Sequence, residues 1–240
     1  GVVMEEYRLG LGPDKRMMTE YLPKLMYGSQ YAERLPIGKK EVIKKADYET
    51  VRNYYRDWYR PDLMAVVAVG DLDPAVMEQK IKDHFSKLKP VAKPRERKVY
   101  DVPNHEETFV AVASDKESPF SQVQIYYKDR DDAKDIVTTN DYRDQLVRNL
   151  FSTMINNRLD ELRNGANPPF TFGFSNYGGT YARSKNAYRS IAMSGAGEQL
   201  KALKALLDEN ERVKRYGFNP SEMDRAKKEY LAQLDRQYKD

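Results

Sequence analysis

The sequence predicts an α+β fold arranged in two units. Three observations carry that reading. Strand-like and helix-like runs follow one another in blocks instead of alternating one for one. A segment of period-two alternation, Ser121–Tyr127, precedes a long segment of helical periodicity, Asp141–Leu162. A stretch rich in Pro and charge, residues 89–108, divides the chain near residue 95.

The first 40 residues mix short helical signals with turns at Gly10, Gly12-Pro13, Tyr27-Gly28-Ser29 and Pro36-Ile37-Gly38. Asp47-Tyr48-Glu49 marks a helix start. Val51, Tyr54, Tyr55 and Trp58 recur at helical spacing, and Pro61 ends the pattern. Leu63–Gly70 is a short unbroken apolar run with β-branched residues and reads as a buried strand. Asp73-Pro74 opens the next helix, with Asp as N-cap and Pro at the first position; Val76, Ile81, Phe85 and Leu88 form its apolar face. Residues 91–107 read as a solvated linker. Beyond it, Thr108–Ala113 and Ser121–Tyr127 read as strands, and Asp141–Leu162 as a helix ended by Asn164-Gly165. Phe170–Tyr177 and Ala187–Met193 read as two more strands joined through Gly178-Gly179. Helices over Glu198–Arg215 and from Pro220 onward close the chain, the latter after the start signal Asn219-Pro220-Ser221-Glu222.

Composition bounds the chemistry. Charged residues make up 32% of the chain, but 41 basic and 37 acidic side chains are interleaved, so the net charge of +4 forms no dedicated nucleic-acid footprint. With no Cys, disulfides, thiol catalysis and Cys-ligated zinc are excluded. No run approaches the ~18 apolar residues of a membrane helix, and the start lacks the pattern of a signal peptide. Only two histidines occur, His84 and His105, too far apart for a paired zinc motif, and each reads as a surface residue. No G-x-S-x-G occurs. Ser194-Gly195-Ala196-Gly197-Glu198 has Leu200 where a dinucleotide fingerprint needs its third Gly, so it reads as a strand-to-helix turn. The carboxylates Glu5 and Glu6 project about 100° apart on a helix and cannot chelate one ion together. The apolar face does not choose between them, and a helix-dipole role accounts for either.

Three stretches together resemble the pitrilysin/insulinase-type zinc metallopeptidases, the inverted zincins with an H-x-x-E-H motif. Gly1-Val2-Val3-Met4-Glu5-Glu6 is similar to the end of that family's E-R-x-V-V-x-x-E segment. Tyr31–Gly38, Tyr54–Pro61 and Val69–Asp73 together are similar to its P-I-G, Y-x-P and G-D signature. Met154–Arg163 resembles the second-domain helix that echoes the zinc-binding one, and Asn167-Pro168-Pro169-Phe170 resembles a bacterial, multi-domain branch.

The resemblance implies two-layer αβ units, each a mostly antiparallel sheet with helices on one face. Residues 1–90 would be the C-terminal part of a zinc-binding domain, 91–107 a linker, and 108–240 most of an accessory peptidase-like domain. It makes Glu6 the third zinc ligand and Glu5 a neighbour. The histidines and the general-base Glu would lie upstream of Gly1, so the chain reads as an internal piece of a zinc endopeptidase, inactive and without bound zinc by itself. Arg163 matches the family's substrate-binding Arg. Seven residues on, Phe170 stands where the family has Tyr, and Tyr177 or Tyr181 would have to supply a hydroxyl instead. Implied partners are extended peptide substrates and the rest of the parent, with no nucleic acid, no membrane span and a tendency to self-associate through uncovered apolar surface. The bacterial branch favours a periplasmic location. The rival implications are a non-catalytic homologue acting as scaffold or peptide-holding subunit, and an α+β binding module whose likeness is architectural.

Overall fold

The computed structural model describes every residue except 181 and 240. Its helices are α1 (Val2–Leu9), α2 (Pro13–Leu25), α3 (Lys40–Lys45), α4 (Tyr48–Trp58), α5 (Pro74–Phe85), α6 (Thr139–Arg163), α7 (Gln199–Tyr216) and α8 (Pro220–Lys239). The strands are β1 (Ser121–Lys128), β2 (Phe172–Gly179) and β3 (Asn186–Ser194). The chain forms two compact units. One comprises Gly1–Leu9 and Leu35–Val99; the other comprises Gly10–Arg34 and Tyr100–Asp240. Residues 10–34 therefore belong with the second unit, a grouping that chain order does not announce.

In the first unit, local signals set the helices. The Asp47 carboxylate accepts the Thr50 N–H at 2.7 Å and starts α4; the Asp73 carboxylate accepts the Val76 N–H at 3.0 Å and starts α5, with Pro74 in its first turn. Helix α4 is strongly amphipathic, yet Val51, Tyr54 and Tyr55 on its apolar side are exposed. The strand expected at Leu63–Gly70 is not formed. Pro61–Leu63 is a 3-10 turn, and the following residues carry no ladder, with Val67 81% and Val69 92% exposed. A strand is a pairwise structure, and no neighbour for this one lies among the described residues. Thr108–Ala113 is corrected in the same way: Val110 and Val112 are exposed and no ladder forms.

The second unit is built on a three-stranded antiparallel sheet in the order β1-β3-β2. The register aligns Ile125, Ser190 and Ser175 in one rank and Tyr127, Tyr188 and Tyr177 in the next rank on the same face. Helix α6 starts at a capping box: Thr138 Oγ1 accepts the Asp141 N–H at 3.2 Å, and the Asp141 carboxylate accepts the Thr138 N–H at 2.8 Å. Its buried stripe of Met154, Ile155 and Leu159 faces the sheet. Leu159, Phe170, Ala192, Ala202 and Leu206 form the core, with Ile125 packed against it. Gly173 is required beneath Phe170, because a Cβ there would stand 2.6 Å from the ring.

Most of the polar groups inside this unit are paired, while the buried Ser194 hydroxyl has no partner among the described residues. The Ser175 and Ser190 hydroxyls lie 2.6 Å apart, and Asn210 donates to Ser190 Oγ at 3.2 Å. The Tyr188 hydroxyl donates to Asn210 Oδ1 at 2.7 Å. The Asn156 carboxamide accepts the Ser175 N–H at 2.7 Å and donates to the Ser175 carbonyl at 2.8 Å. The stretch read as a solvated linker is partly built in. Val102 is fully buried, and Asn104 donates to the Arg130 carbonyl at 2.8 Å. The buried Lys185 ammonium donates to Asn104 Oδ1 at 3.2 Å.

Candidate functional site

The residues singled out from the sequence fall in different units: Glu6 in the first, Arg163 and Phe170 in the second. Helix α1 carries the acidic pair on an exposed surface. Arg8, one turn on, donates through Nε to Glu5 Oε2 at 2.9 Å, and its guanidinium holds the Glu5 carboxyl below its ordinary range. Glu6 points elsewhere around the helix. It has no hydrogen bond or ion pair among the described residues, so its carboxylate is free for another partner while that of Glu5 is occupied. Among the described residues no three His, Asp or Glu side chains come together as a metal site. One carboxylate by itself does not make a zinc site, which takes four donors.

Arg163 ends α6, where a cation complements the helix dipole. Its NH2 lies 3.1 Å from Asp160 Oδ1, and the side chain is partly exposed, so the guanidinium keeps donors open to solvent. Phe170 is 2% exposed and belongs to the core cluster with Leu159, Ala192, Ala202 and Leu206, where its task is packing. Tyr177 on β2 donates its hydroxyl to Asp129, and the Arg148 guanidinium sits 4.3 Å over its ring. Burial raises the Tyr177 pKa, and the Asp129 carboxylate raises it further. That hydroxyl is engaged with Asp129 and is not a free oxyanion donor. Tyr181 lies outside the described residues. His105 is less solvated than its sequence context implied: Nδ1 is 2.8 Å from the Glu107 carbonyl and the ring stacks on Phe109.

Arg158 was not singled out by sequence. It projects from the buried side of α6 and is almost fully enclosed. Its Nε and NH2 donate to the two Glu222 oxygens at 2.6 and 2.8 Å, its NH1 to Glu209 Oε1 at 3.0 Å, and its NH2 also to the Gly217 carbonyl at 3.1 Å. The guanidinium carbon lies 4.8 Å from the Phe218 ring. One cation thus ties α6 to α7 and α8, lining a polar cleft of about 530 Å³ with Glu161, Arg212 and Tyr216. A signal was present: an Arg between Ile155 and Leu159 falls on the apolar stripe and must bring its own counter-charges.

The family model for the peptidase M16 inactive domain matches residues 45–230. The chain belongs to the M16 peptidase family. This is the pitrilysin/insulinase type. A zinc protease PQQL-like protein of Arabidopsis thaliana is 40% identical over 171 residues, which cover 71% of this chain and 18% of that one. The probable zinc protease PqqL of Escherichia coli is 26% identical over 243 residues, covering 98% of this chain and 25% of the relative. The crystal structure of the E. coli periplasmic protease PqqL superimposes with a TM-score of 0.82 at 24% identity, over 98% of this chain and 26% of that one, which supports the α+β architecture. This M16 chain thus spans about a fifth to a quarter of the curated relatives' length. No helix among the described residues is long and apolar enough to cross a membrane.

Proposed function

We propose that this M16 chain is a section of a zinc endopeptidase, contributing one metal ligand, Glu6, and most of the companion domain that lacks catalytic residues. The observation that carries the reading is the contrast on α1: Arg8 engages Glu5 and leaves Glu6 without a partner. Of residues 1–90, those outside 10–34 then end the metal-binding domain, and 108–240, with 10–34 seated on them, form the companion. In the parent, upstream histidines would complete the zinc site. Glu6 would be one of the ligands there, and the bound metal would supply Lewis-acid chemistry for hydrolysis. Arg163 would meet a substrate carboxylate or carbonyl, a role its partial exposure supports. Extended peptides small enough to enter between two halves of the parent are the substrates, and the periplasm is the compartment. Exposed Val67 and Val69 favour self-association of the isolated chain.

The test is made in the parent protein. Glu6→Gln is expected to lower zinc retention and peptide hydrolysis by at least about 100-fold, more than the loss typical of residues that only orient ligands, whereas Glu5→Gln leaves zinc content unchanged. Equal zinc content in the two variants would overturn the Glu6 assignment. A second reading, a peptide-holding subunit without catalysis, is favoured by Phe170 at the family's Tyr position, where the core has absorbed the ring. It predicts peptide binding without turnover in the parent, whether or not Glu6 is present.

A further inference from the structure

Residues 10–34 form an anchored segment. Helix α2 is 13 residues long, too short to persist alone in water, and is held by contacts within the second unit. Leu22 and Met26 are buried on one side. At the other end of the helix Arg16 donates through Nε to Asp115 Oδ2 at 2.6 Å, through NH2 to Asp115 Oδ1 at 2.9 Å and Glu117 Oε2 at 2.6 Å, and through NH1 to the Leu11 carbonyl at 2.6 Å. This clasp holds the Asp115 carboxyl down at about 2. Lys128 Nζ donates to the Leu25 carbonyl at 3.0 Å, closing the C-terminal end of α2 with a cation. Beyond the helix, the Tyr27 ring lies 4.8 Å from that of Phe109, and Tyr31 meets Tyr100 edge-on at 5.8 Å. Gly28, at φ +74°, lies so close to Pro103 that a Cβ would stand 3.2 Å from its ring.

A second feature gives this anchoring a use. Between Phe85 and Tyr100 the chain has no regular structure and carries Lys87, Lys89, Lys93, Arg95, Arg97 and Lys98, all exposed. Such a stretch is where proteases cut. A cut there leaves residues 10–34 on the N-terminal piece and their seat on the C-terminal piece.

We propose that residues 10–34 are a strap, a docking segment whose seat is formed by residues 100–128, and that this seat keeps the two pieces together as one particle after the basic stretch is cut. The seat takes an amphipathic helix with two apolar anchors, Leu22 and Met26, and a guanidinium clasp at Arg16. The inference is independent of the zinc reading, since every contact lies within this chain and none involves Glu6.

A protease recognition sequence inserted between Ala92 and Lys93 of the 240-residue chain tests it. After complete cleavage, size-exclusion chromatography and native mass spectrometry are expected to find both pieces in one species at the mass of the uncut chain. Two separate species from the cut wild type would overturn the proposal. Arg16→Glu places a like charge against Asp115 and Glu117, and is expected to weaken association of the cut pieces by about 100-fold. Met26→Ala should weaken it through the apolar anchor. Circular dichroism of each uncut variant checks folding, and a cut Arg16→Glu chain that folds and stays as tightly associated as wild type also overturns the assigned seat.

Discussion

Arg158→Met is expected to cost about 3–5 kcal/mol of stability, the range for removing one partner from a buried charge cluster. Glu209 is only 5% exposed and would be left without its counter-charge. Glu222 and the Gly217 carbonyl would each lose a donor in the same step. The Arg212 contact to Glu209, at 3.4 Å from an exposed side chain, is a weak substitute. Urea unfolding checks the size of the loss. The triple replacement Arg158→Met, Glu209→Gln, Glu222→Gln separates lost attraction from stranded charge: most of the loss is expected to return, because no buried carboxylate then lacks a partner.

The same cluster sets an acid limb. The Arg158 guanidinium holds the Glu222 carboxyl at about 2, against an ordinary 4.5. A carboxylate with a depressed folded pKa stabilises the fold above its unfolded pKa. The contribution of Glu222 is therefore complete above about 4.5 and is lost as pH falls toward 2. In Arg158→Met this part of the acid limb should flatten, and a series of unfolding midpoints across that window reads it directly.

Phe170→Ala is the second large effect, at about 3–5 kcal/mol for emptying a buried aromatic site. Phe170→Tyr gives the more telling comparison. At a substrate-facing position, restoring the family's hydroxyl would improve turnover in the parent. Here the ring is buried in the core cluster with Leu159, Ala192, Ala202 and Leu206 and stands over Gly173. The added hydroxyl therefore enters apolar surroundings, and Phe170→Tyr is expected to cost about 1–3 kcal/mol with no gain in peptide hydrolysis. A rise in kcat in that variant would return Phe170 to the substrate site.

Local rules in the sequence were strong where one residue decides a local geometry. Asp47 and Asp73 start α4 and α5 where their N-cap signals stand. The period-two run at Ser121 became β1 within one residue, and the last strands and α7 were found within two residues at each end. The start of α6 lies earlier than Asp141, because Asp141 is the third helical residue after the cap, Thr138. Legibility failed where structure depends on a distant partner. Leu63–Gly70 has every residue of a strand and, among the described residues, no neighbour to pair with. The basic stretch and the built-in part beyond it share a polar composition; only the far contacts of Val102 and Asn104 separate them. The strap was hidden for the same reason, since Arg16 meets Asp115 across 99 residues. For the site, composition left Glu5 and Glu6 equal; Arg8, three residues on, is what distinguishes them in space.

The Asn156–Ser175 pair has a consequence for how this sheet can grow. In the strand order β1-β3-β2, β2 is an outer strand, and the N–H and C=O of one residue in a strand point to the same side. Asn156 takes both groups of Ser175, so they face away from β3. A single carboxamide thus stands where one peptide unit of a further strand would stand, as a doorstop on the rim. A polypeptide templating on β2 would first have to expel Asn156 from two hydrogen bonds. The sheet is thereby made directional: its β2 rim is obstructed at Ser175 against continuous pairing, which leaves β1 as the rim that Asn156 does not guard.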